Sequence, residues 1–447
     1  MARIIRRVLA CTIALGPLLA TPGTAGADAT EGVSAAAEHA ALHGQLTYVE
    51  QETNSFHAPY RGRNSLSPDI GRETVDATLF IGARLWAGGE IWLSPEIDQG
   101  FGLDNTVGLA GFPSGAAYKV GSKRPYLRLP RAFVRATFNL GGVRDPVAAG
   151  QIQLAGTQSP QRVVLTLGKF SVTDVFDGSQ YAHDPRSDFM NWTAVDAATF
   201  DYAADAWGYS VGAALEWYGR AWAVRAGLFD LSDVPNSSHL QSGGHQFQMI
   251  LELERRYSLG NRAGRVLFTV YDSRARMARL DQAVQQAAAS AEPVDPAVVR
   301  SFRSRTGASV AWDQAVSESM GVFVRVGGAG GNVEAYEFTD VDRSAALGLS
   351  VKGAPWGRAR DVFGLAMICN RISVARARYL DAGGLGILVG DGRLPHAGDE
   401  RIVEAYYELG VADGSHLTID YQRVRNPAYN RDRGPVGVLG LRVHTQF

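Results

Sequence analysis

Apolar and polar residues alternate along many segments of this chain, and this alternation constrains its fold more than any other feature. Between Trp207 and Trp217 every second residue is apolar, and the residues between them are small or charged. The final segment has the same pattern from Leu439 to Phe447. A period of two is that of a β-strand with one apolar face. Because such segments occur along the whole chain, the sequence predicts an all-β fold.

Turn signals divide these segments into about sixteen predicted strands. The connections alternate between short turns, such as 87–89 and 412–415, and long excursions rich in glycine, proline and aspartate. This asymmetry is typical of a transmembrane antiparallel β-barrel with short periplasmic turns, long extracellular loops and both termini on the periplasmic side. The predicted strands are 44–51, 72–86, 88–95, 130–140, 162–170, 206–217, 221–230, 246–258, 264–272, 306–313, 320–327, 344–352, 361–370, 400–411, 416–424 and 436–447.

The second face of the predicted strands carries charged residues, among them Glu216, Arg225, Arg325, Glu404 and Arg442. A small soluble barrel could not bury such a set without a large free-energy cost of removing charge from water. In a wide membrane barrel the same residues face water, so the pattern predicts a water-filled, arginine-rich lumen. A large soluble β-protein is the alternative that the pattern leaves open. Tryptophans near the strand ends predict an aromatic girdle at the membrane interface.

The first 27 residues predict export from the cytoplasm. A positive segment with Arg3, Arg6 and Arg7 precedes an apolar run, and small residues follow at 25–27, which is typical of a cleaved signal peptide. The predicted parts are a signal peptide (1–27), an N-terminal periplasmic segment (28–43) and an outer-membrane barrel (44–447). After the signal peptide, no apolar run is long enough for a transmembrane helix.

Charge and motifs argue against several other classes of protein. Lys+Arg 44 and Asp+Glu 45 nearly cancel, so the basic footprint of a nucleic-acid-binding protein is missing. Residues 208–212 match the G-x-S-x-G pattern of hydrolases, but they lie within an alternating strand and not at a strand-to-helix turn. The sequence contains no H-E-x-x-H motif and no P-loop. We therefore predict neither an enzyme nor a cofactor.

Two long excursions, 96–129 and 171–205, carry acidic and aromatic residues. We expect them to fold inward as a constriction that faces Arg131 and Arg135. The carboxylate oxygens of 171–205 also suit divalent cations such as Ca²⁺ or Mn²⁺, so a metal-binding loop and a solvated loop remain as other interpretations of this excursion. The stretch 276–292 predicts a short helix. The candidate pore residues are Arg84, Glu90, Glu96, Asp98, Arg131, Arg135, Lys169, Asp174, Asp177, Arg186, Asp188, Asn191, Trp192 and Arg325.

Several motifs resemble those of the carbohydrate-selective porins of Gram-negative outer membranes. The most specific are GKFSVTDVFD at 168–177, DFMNW at 188–192 and NPAYNRDRGPV at 426–436. Phe447 is similar to the carboxyl-terminal aromatic residue of outer-membrane barrels. One departure is that Ala116 and Ala117 occupy a stretch where the family leads us to expect an acid.

The resemblance implies a sixteen-stranded porin that passes monosaccharides and small oligosaccharides. It further implies a barrel embedded in outer-membrane lipid, recognised through Phe447 by the outer-membrane assembly machinery, and present as a monomer or homotrimer. Planar, always charged guanidinium groups suit solutes rich in hydroxyls. Because they also attract anions, a porin for anions is an alternative. A porin for divalent metal ions such as Mn²⁺ is a second alternative, and a barrel enzyme or an adhesin follows.

Overall fold

The structure, a computed structural model, describes residues 37–117 and 121–447. Within these residues sixteen antiparallel strands form one closed barrel, and two short strands, β5 and β6, form a separate hairpin. The predicted signal peptide, 1–27, lies outside the described residues. The strands are β1 (Ala40–Thr53), β2 (Gly71–Trp86), β3 (Gly89–Phe101), β4 (Gly121–Asn139), β5 (Asp145–Val147), β6 (Gly156–Gln158), β7 (Arg162–Phe170), β8 (Ser210–Tyr218), β9 (Trp222–Asp230), β10 (Phe247–Leu259), β11 (Arg262–Met277), β12 (Ser301–Ala315), β13 (Met320–Ala329), β14 (Arg343–Lys352), β15 (Val362–Arg371), β16 (Glu400–Ala412), β17 (Ser415–Arg425) and β18 (Val436–Gln446).

Pairing between β1 and β18 closes the barrel, and β1 starts and β18 ends on the side of the short turns. The backbones of Gly44 and Phe447 exchange two hydrogen bonds, of 3.1 and 3.0 Å. A Cβ atom on residue 44 would lie 2.6 Å from the Phe447 ring, so a side chain at this position would displace that ring. The terminal aromatic residue is thereby packed against the first strand.

The outer surface of the barrel is apolar. Leu215, Leu347, Met367 and Ile419 are exposed on it. In each of their strands, the residues directly before and after them face the interior. Five tryptophans lie at or near the turn-side end, a position typical of an aromatic girdle at a membrane interface. They are Trp86, Trp217, Trp222, Trp312 and Trp356.

Most strands lie where the sequence predicts them, but the bounds predicted for the first long excursion, 96–129, are wrong. β3 continues to Phe101 and β4 begins at Gly121, which leaves a shorter connection, described over residues 102–117. The prolines at 95, 125 and 130 indicate a loop in the sequence. The ladder between β3 and β4 accommodates them at two register shifts, because irregular positions in a sheet tolerate a residue without an N–H donor.

One connection on the turn side is long, although only short turns are predicted there. Residues 140–161 contain the β5–β6 hairpin and lie against inward side chains of β1, β2 and β4 at this end. Arg135 donates to the carbonyl oxygen of Ile152 at 3.0 Å, and Arg84 donates to that of Ala155 at 3.1 Å. The helix expected within 276–292 is present as Leu280–Ser290. No helix in the described parts of the chain is both long and apolar enough to cross a membrane.

Candidate pore and constriction

The long connection between β7 and β8, loop 171–209, folds into the barrel interior. Arg325 on β13 donates to three of its backbone carbonyl oxygens, among them that of Ala182 at 2.9 Å. Glu404 on β16 accepts a hydrogen bond from the backbone N–H of Asn191 at 3.1 Å. Because wall side chains bind the polar backbone groups of the loop, the loop has a fixed position in the lumen.

The connection between β3 and β4, described over residues 102–117, meets the first loop inside the barrel. Glu400 accepts a hydrogen bond from the backbone N–H of Gly111 at 2.7 Å. The rings of Phe112 and Trp192 stack with centroids 5.1 Å apart and an angle of 9° between their planes. The two loops therefore form one packed unit.

A cavity of about 130 Å³, the upper cavity, lies between these loops and the wall formed by β4. Its lining combines cationic donors, acidic acceptors and aromatic rings. The residues that supply these groups are Arg131, Arg186, His183, Asp174, Asp184, Asp196, Phe112, Trp192, Tyr202, Tyr209 and Phe338. The cavity thus offers both partners of a hydrogen bond beside flat apolar surfaces.

Arg131 and Asp174 form a bidentate ion pair. Arg131 Nε lies 2.8 Å from Asp174 Oδ2, and Arg131 Nη2 lies 2.6 Å from Asp174 Oδ1, which is the strong, charge-assisted geometry of a guanidinium and a carboxylate. The guanidinium also lies 5.0 Å from the centroid of the Tyr209 ring. Asp174 lines both the upper cavity and a second one on the turn side. The Arg131–Asp174 pair therefore stands between the two cavities.

The second cavity, the lower cavity, has a volume of about 270 Å³. Arg135, Arg162 and Glu216 on the barrel wall line it together with Gln153 from the long turn-side connection. The Arg162 guanidinium lies 3.9 Å from the centroid of the Tyr218 ring. The long turn-side connection is therefore part of the lumen lining.

Two acids of the upper cavity have pKa values displaced in opposite directions. Burial, followed by repulsion from Asp177, raises the pKa of Asp196 to about 6, although Trp192 Nε1 donates to its carboxylate at 2.8 Å. Burial also acts to raise the pKa of Asp184, but Arg186, with its Nη1 3.7 Å from Asp184 Oδ1, and the Arg186 backbone N–H together hold that pKa below its usual range. Asp184 therefore stays charged near pH 6, where Asp196 titrates.

The predicted pore residues occupy four kinds of position. Those that line a cavity are Arg131, Arg135, Asp174, Arg186 and Trp192. Those that form ion pairs along the wall outside both cavity linings are Arg84, Glu90, Glu96 and Asp98. Those that hold the backbone or fold of loop 171–209 are Asp177, Asp188, Asn191 and Arg325. The fourth position is on the outer face, and Lys169 occupies it.

The prediction that Lys169 is a pore residue is wrong, because its side chain points to the outer face of β7. It pairs with Val211, which is 43% exposed on the outer surface, and its ammonium nitrogen lies 3.0 Å from an Asp205 oxygen. Its neighbours Gly168 and Phe170 occupy the inward register positions. Lys169 therefore does not line the lumen.

Sequence reasoning missed Arg128, which pairs with both Glu96 and Asp98. Flanking prolines make its segment resemble a loop. The signal that identifies it is the alternation in which Leu127 and Leu129, both exposed on the outer surface, flank Arg128.

The lumen is less open than the sequence predicts. Arg325 is 3% exposed, and Arg442 and Glu404 are fully buried, because loop 171–209 packs against them. Buried charge is tolerated where it is paired and hydrogen-bonded. Arg442 meets this condition, since its Nη2 lies 3.1 Å from Glu408 and its Nη1 donates to the carbonyl oxygen of Pro185 at 2.8 Å. The upper and lower cavities lie beside β4, β7 and β8, and none of these three buried residues lines them.

A closed barrel of sixteen strands with an apolar outer surface, an aromatic girdle and inward loops is the structure of a porin of the Gram-negative outer membrane. The chain belongs to the OprB family of carbohydrate-selective porins, whose family model matches residues 64–447. The family and the fold are those of a channel.

Solved structures match this chain at low sequence identity, and the first of them supports the fold. A structure of OprB from Pseudomonas putida at high pH is 17% identical, with a TM-score of 0.68 over 92% of this chain and 94% of that chain. Its low-pH structure is 12% identical, with a TM-score of 0.49 over 92% and 93% of the two chains. OccK11 (OpdR) from Pseudomonas aeruginosa is 10% identical, with a TM-score of 0.43 over 92% and 95%. No curated protein matches the sequence.

Proposed function

We propose that this porin lets monosaccharides and small oligosaccharides diffuse across the outer membrane through the upper and lower cavities. The observation that carries the proposal is the Arg131–Asp174 pair, which presents a charged donor and a charged acceptor beside the Tyr209 ring between the two cavities. Membership in a family of carbohydrate-selective porins supports the same solute class.

The lining of the upper cavity matches the chemistry of a sugar. Each sugar hydroxyl both donates and accepts hydrogen bonds, and Arg131 and Arg186 offer donors while Asp174 and Asp184 offer acceptors. Aromatic faces suit the C–H surfaces of the sugar ring. Because the charged groups already bind one another, a passing sugar exchanges hydrogen bonds and does not fall into a deep energy minimum. Entry and release both stay fast, as a channel requires.

The pairing of the arginines favours a neutral solute over an anion. Arginines without partners would attract anions, but Arg131 is paired with Asp174, and Arg186 Nε lies 3.3 Å from Asp76 Oδ1. The same pairing reduces the attraction of the acids for divalent cations. Channels for anions or for metal ions such as Mn²⁺ are therefore the alternatives to be tested.

Sugar-induced block of the ion current in planar bilayers tests the proposal. We expect glucose to reduce the current of the purified barrel, and Arg131→Ala to raise the half-blocking glucose concentration about tenfold or more, since a hydrogen bond to a charged group contributes about 1.5–3 kcal/mol. Arg360→Ala is the matched control, because Arg360 is an exposed arginine in the turn between β14 and β15 and its loss should leave the block unchanged.

A different result would point to the alternatives. The sugar proposal is wrong if glucose leaves the current unchanged and reversal potentials in a KCl gradient show strong anion selectivity. A strong preference for divalent cations under the same conditions would favour the metal-ion channel. Liposome swelling with neutral sugars of increasing size supplies a readout that does not depend on current.

A further inference from the structure

Five arginines lie on the outer surface at the loop-side ends of four neighbouring strands, β14 to β17. This arginine belt consists of Arg343, Arg371, Arg401, Arg423 and Arg425, all of them exposed. Arg343 stands directly opposite Arg371 in the ladder, and Arg401 stands directly opposite Arg425. Like charges in directly opposite positions destabilise a sheet. An anion bound from outside the barrel would therefore stabilise the belt.

Carboxylates of the barrel neutralise little of this charge. Arg371 pairs with Asp399 at 2.7 Å, and Asp399 also attracts Arg401 at longer range. In the described part of the chain, the other four belt arginines have no carboxylate within ion-pair distance. Neighbouring strands lie about 4.8 Å apart, and residues two apart on one face lie about 7 Å apart. The belt therefore concentrates its charge in a patch roughly 15 Å wide.

The belt lies at the edge of the lipid-facing surface. Moving from it towards mid-barrel along the same outer face, the next large side chains are Leu347, Met367, Val403 and Tyr421, all exposed. The arginines thus border the apolar band on its loop side. At this level the hydrocarbon of the outer leaflet ends and the lipid headgroups begin.

A groove of about 580 Å³ lies on the outer surface next to the belt, across β10 to β13. Ala308 and Gly328 contribute almost no side chain to its lining, and Gly328 is the register partner of Arg343. The larger apolar residues along it are Met249, Leu251 and Val270. One acid is present, Asp272, which accepts a hydrogen bond from Ser304 at 3.1 Å. The groove has the character of a binding site for a hydrocarbon chain, and one end of it reaches the belt.

We propose that this surface binds a phosphorylated, multiply acylated lipid of the outer leaflet, with its phosphates at the arginine belt and an acyl chain in the groove. The planar guanidinium fork matches the oxygens of a phosphate and keeps its charge at every physiological pH. The proposal goes beyond the passage of solutes and depends only on the outer-membrane location of the barrel.

A second copy of the chain fits this surface less well. It would need an outward-facing acidic patch at the same level. The acids at the loop-side ends of β1 and β2 are Glu50, which is 8% exposed, Glu52, which is half-buried, and Glu73, which is exposed, so this edge offers one fully exposed carboxylate against five arginines. A lipid phosphate supplies the missing negative charge without any such patch.

Native mass spectrometry of the purified barrel in detergent tests the proposal. The probes are lipid A, an acylated glucosamine disaccharide with two phosphates, and phosphatidylethanolamine, whose headgroup carries no net charge. We expect the native barrel to retain lipid A at least fivefold better than phosphatidylethanolamine. The variant Arg343→Gln/Arg401→Gln/Arg425→Gln should lose this preference, and the corresponding triple lysine variant should keep part of it.

The matched control is Arg220→Gln/Arg255→Gln/Arg360→Gln, which removes three exposed arginines from the turn-side end and should retain lipid A as the native barrel does. Heat-dependent migration on gels shows that each variant is folded, and glucose block of the current tests the solute proposal separately. Equal retention of lipid A by the native barrel and the glutamine variant would overturn the proposal, as would equal retention of both lipids by the native barrel. A change of oligomeric mass without a change in bound lipid would assign the surface to a second copy.

Discussion

Asp196 gives the upper cavity a charge that changes near neutral pH. With a pKa of about 6, its carboxyl group is almost fully ionised at pH 7.5 and roughly one-tenth ionised at pH 5. Acidification therefore removes a negative charge from the cavity, and we expect reversal potentials in a KCl gradient to shift towards anions. Asp196→Asn should remove most of this shift. Asp184→Asn is the control, because Asp184 is charged at both pH values and its loss should shift selectivity at both; an undiminished pH response of Asp196→Asn would contradict the assignment.

Individual residues could be placed from the sequence where one face of a strand differs clearly from the other. Arg131 and Arg135 alternate with apolar neighbours, and both line cavities. Lys169 was misplaced because β7 carries apolar residues on both faces, so its pattern does not fix which face is inward. The role of Arg325 depends on which carbonyl oxygens loop 171–209 presents to it. That contact joins residues far apart in sequence, and no local pattern encodes it.

The strands can be tested through their lipid-facing side chains. Leu215 lies near the middle of β8 and is 51% exposed on the outer surface. Leu215→Arg should reduce the free energy of unfolding by about 2–4 kcal/mol, because a charge at mid-membrane is costly. Leu259→Arg at the turn-side end of β10 should cost only about 0–1 kcal/mol. Urea unfolding in lipid vesicles, followed by tryptophan fluorescence, measures both; equal losses would show that the assumed membrane depth is wrong.

Among the elements, some strands were predicted to within a residue and others less closely, since β1 and β12 extend several residues beyond their predicted bounds. The bounds of β7 agree at both ends, and β16 differs by one residue at its end. The prolines of β3 and β4 suggested a loop because their tolerance depends on register shifts between two strands. The β5–β6 hairpin was missed because strands of three residues are too short to show a period.

For the whole molecule, the sequence predicted the closed barrel but not how much of its interior is filled. The barrel follows from patterns local to each strand, whereas the filling follows from contacts between loops and distant walls. Glu404 shows the difference, since its position on an inward face is predictable but its burial under loop 171–209 is not. One consequence is that the upper and lower cavities are small spaces beside packed loops, within a lumen that sixteen strands could leave wide.

The turn-side connection 140–161 supplies a test of this filling. Asn139 and Arg162 are register partners, so a two-residue Asn-Gly hairpin turn can join β4 to β7 in place of the segment. Removing it opens the lower cavity, and we expect single-channel conductance in KCl to rise on the order of twofold. The half-blocking glucose concentration should stay the same, because the Arg131–Asp174 pair remains. Val143→Thr, at a position that is 84% exposed, is the control and should alter neither value. If the deletion leaves conductance unchanged while Arg131→Ala raises it, the upper cavity alone limits the flow.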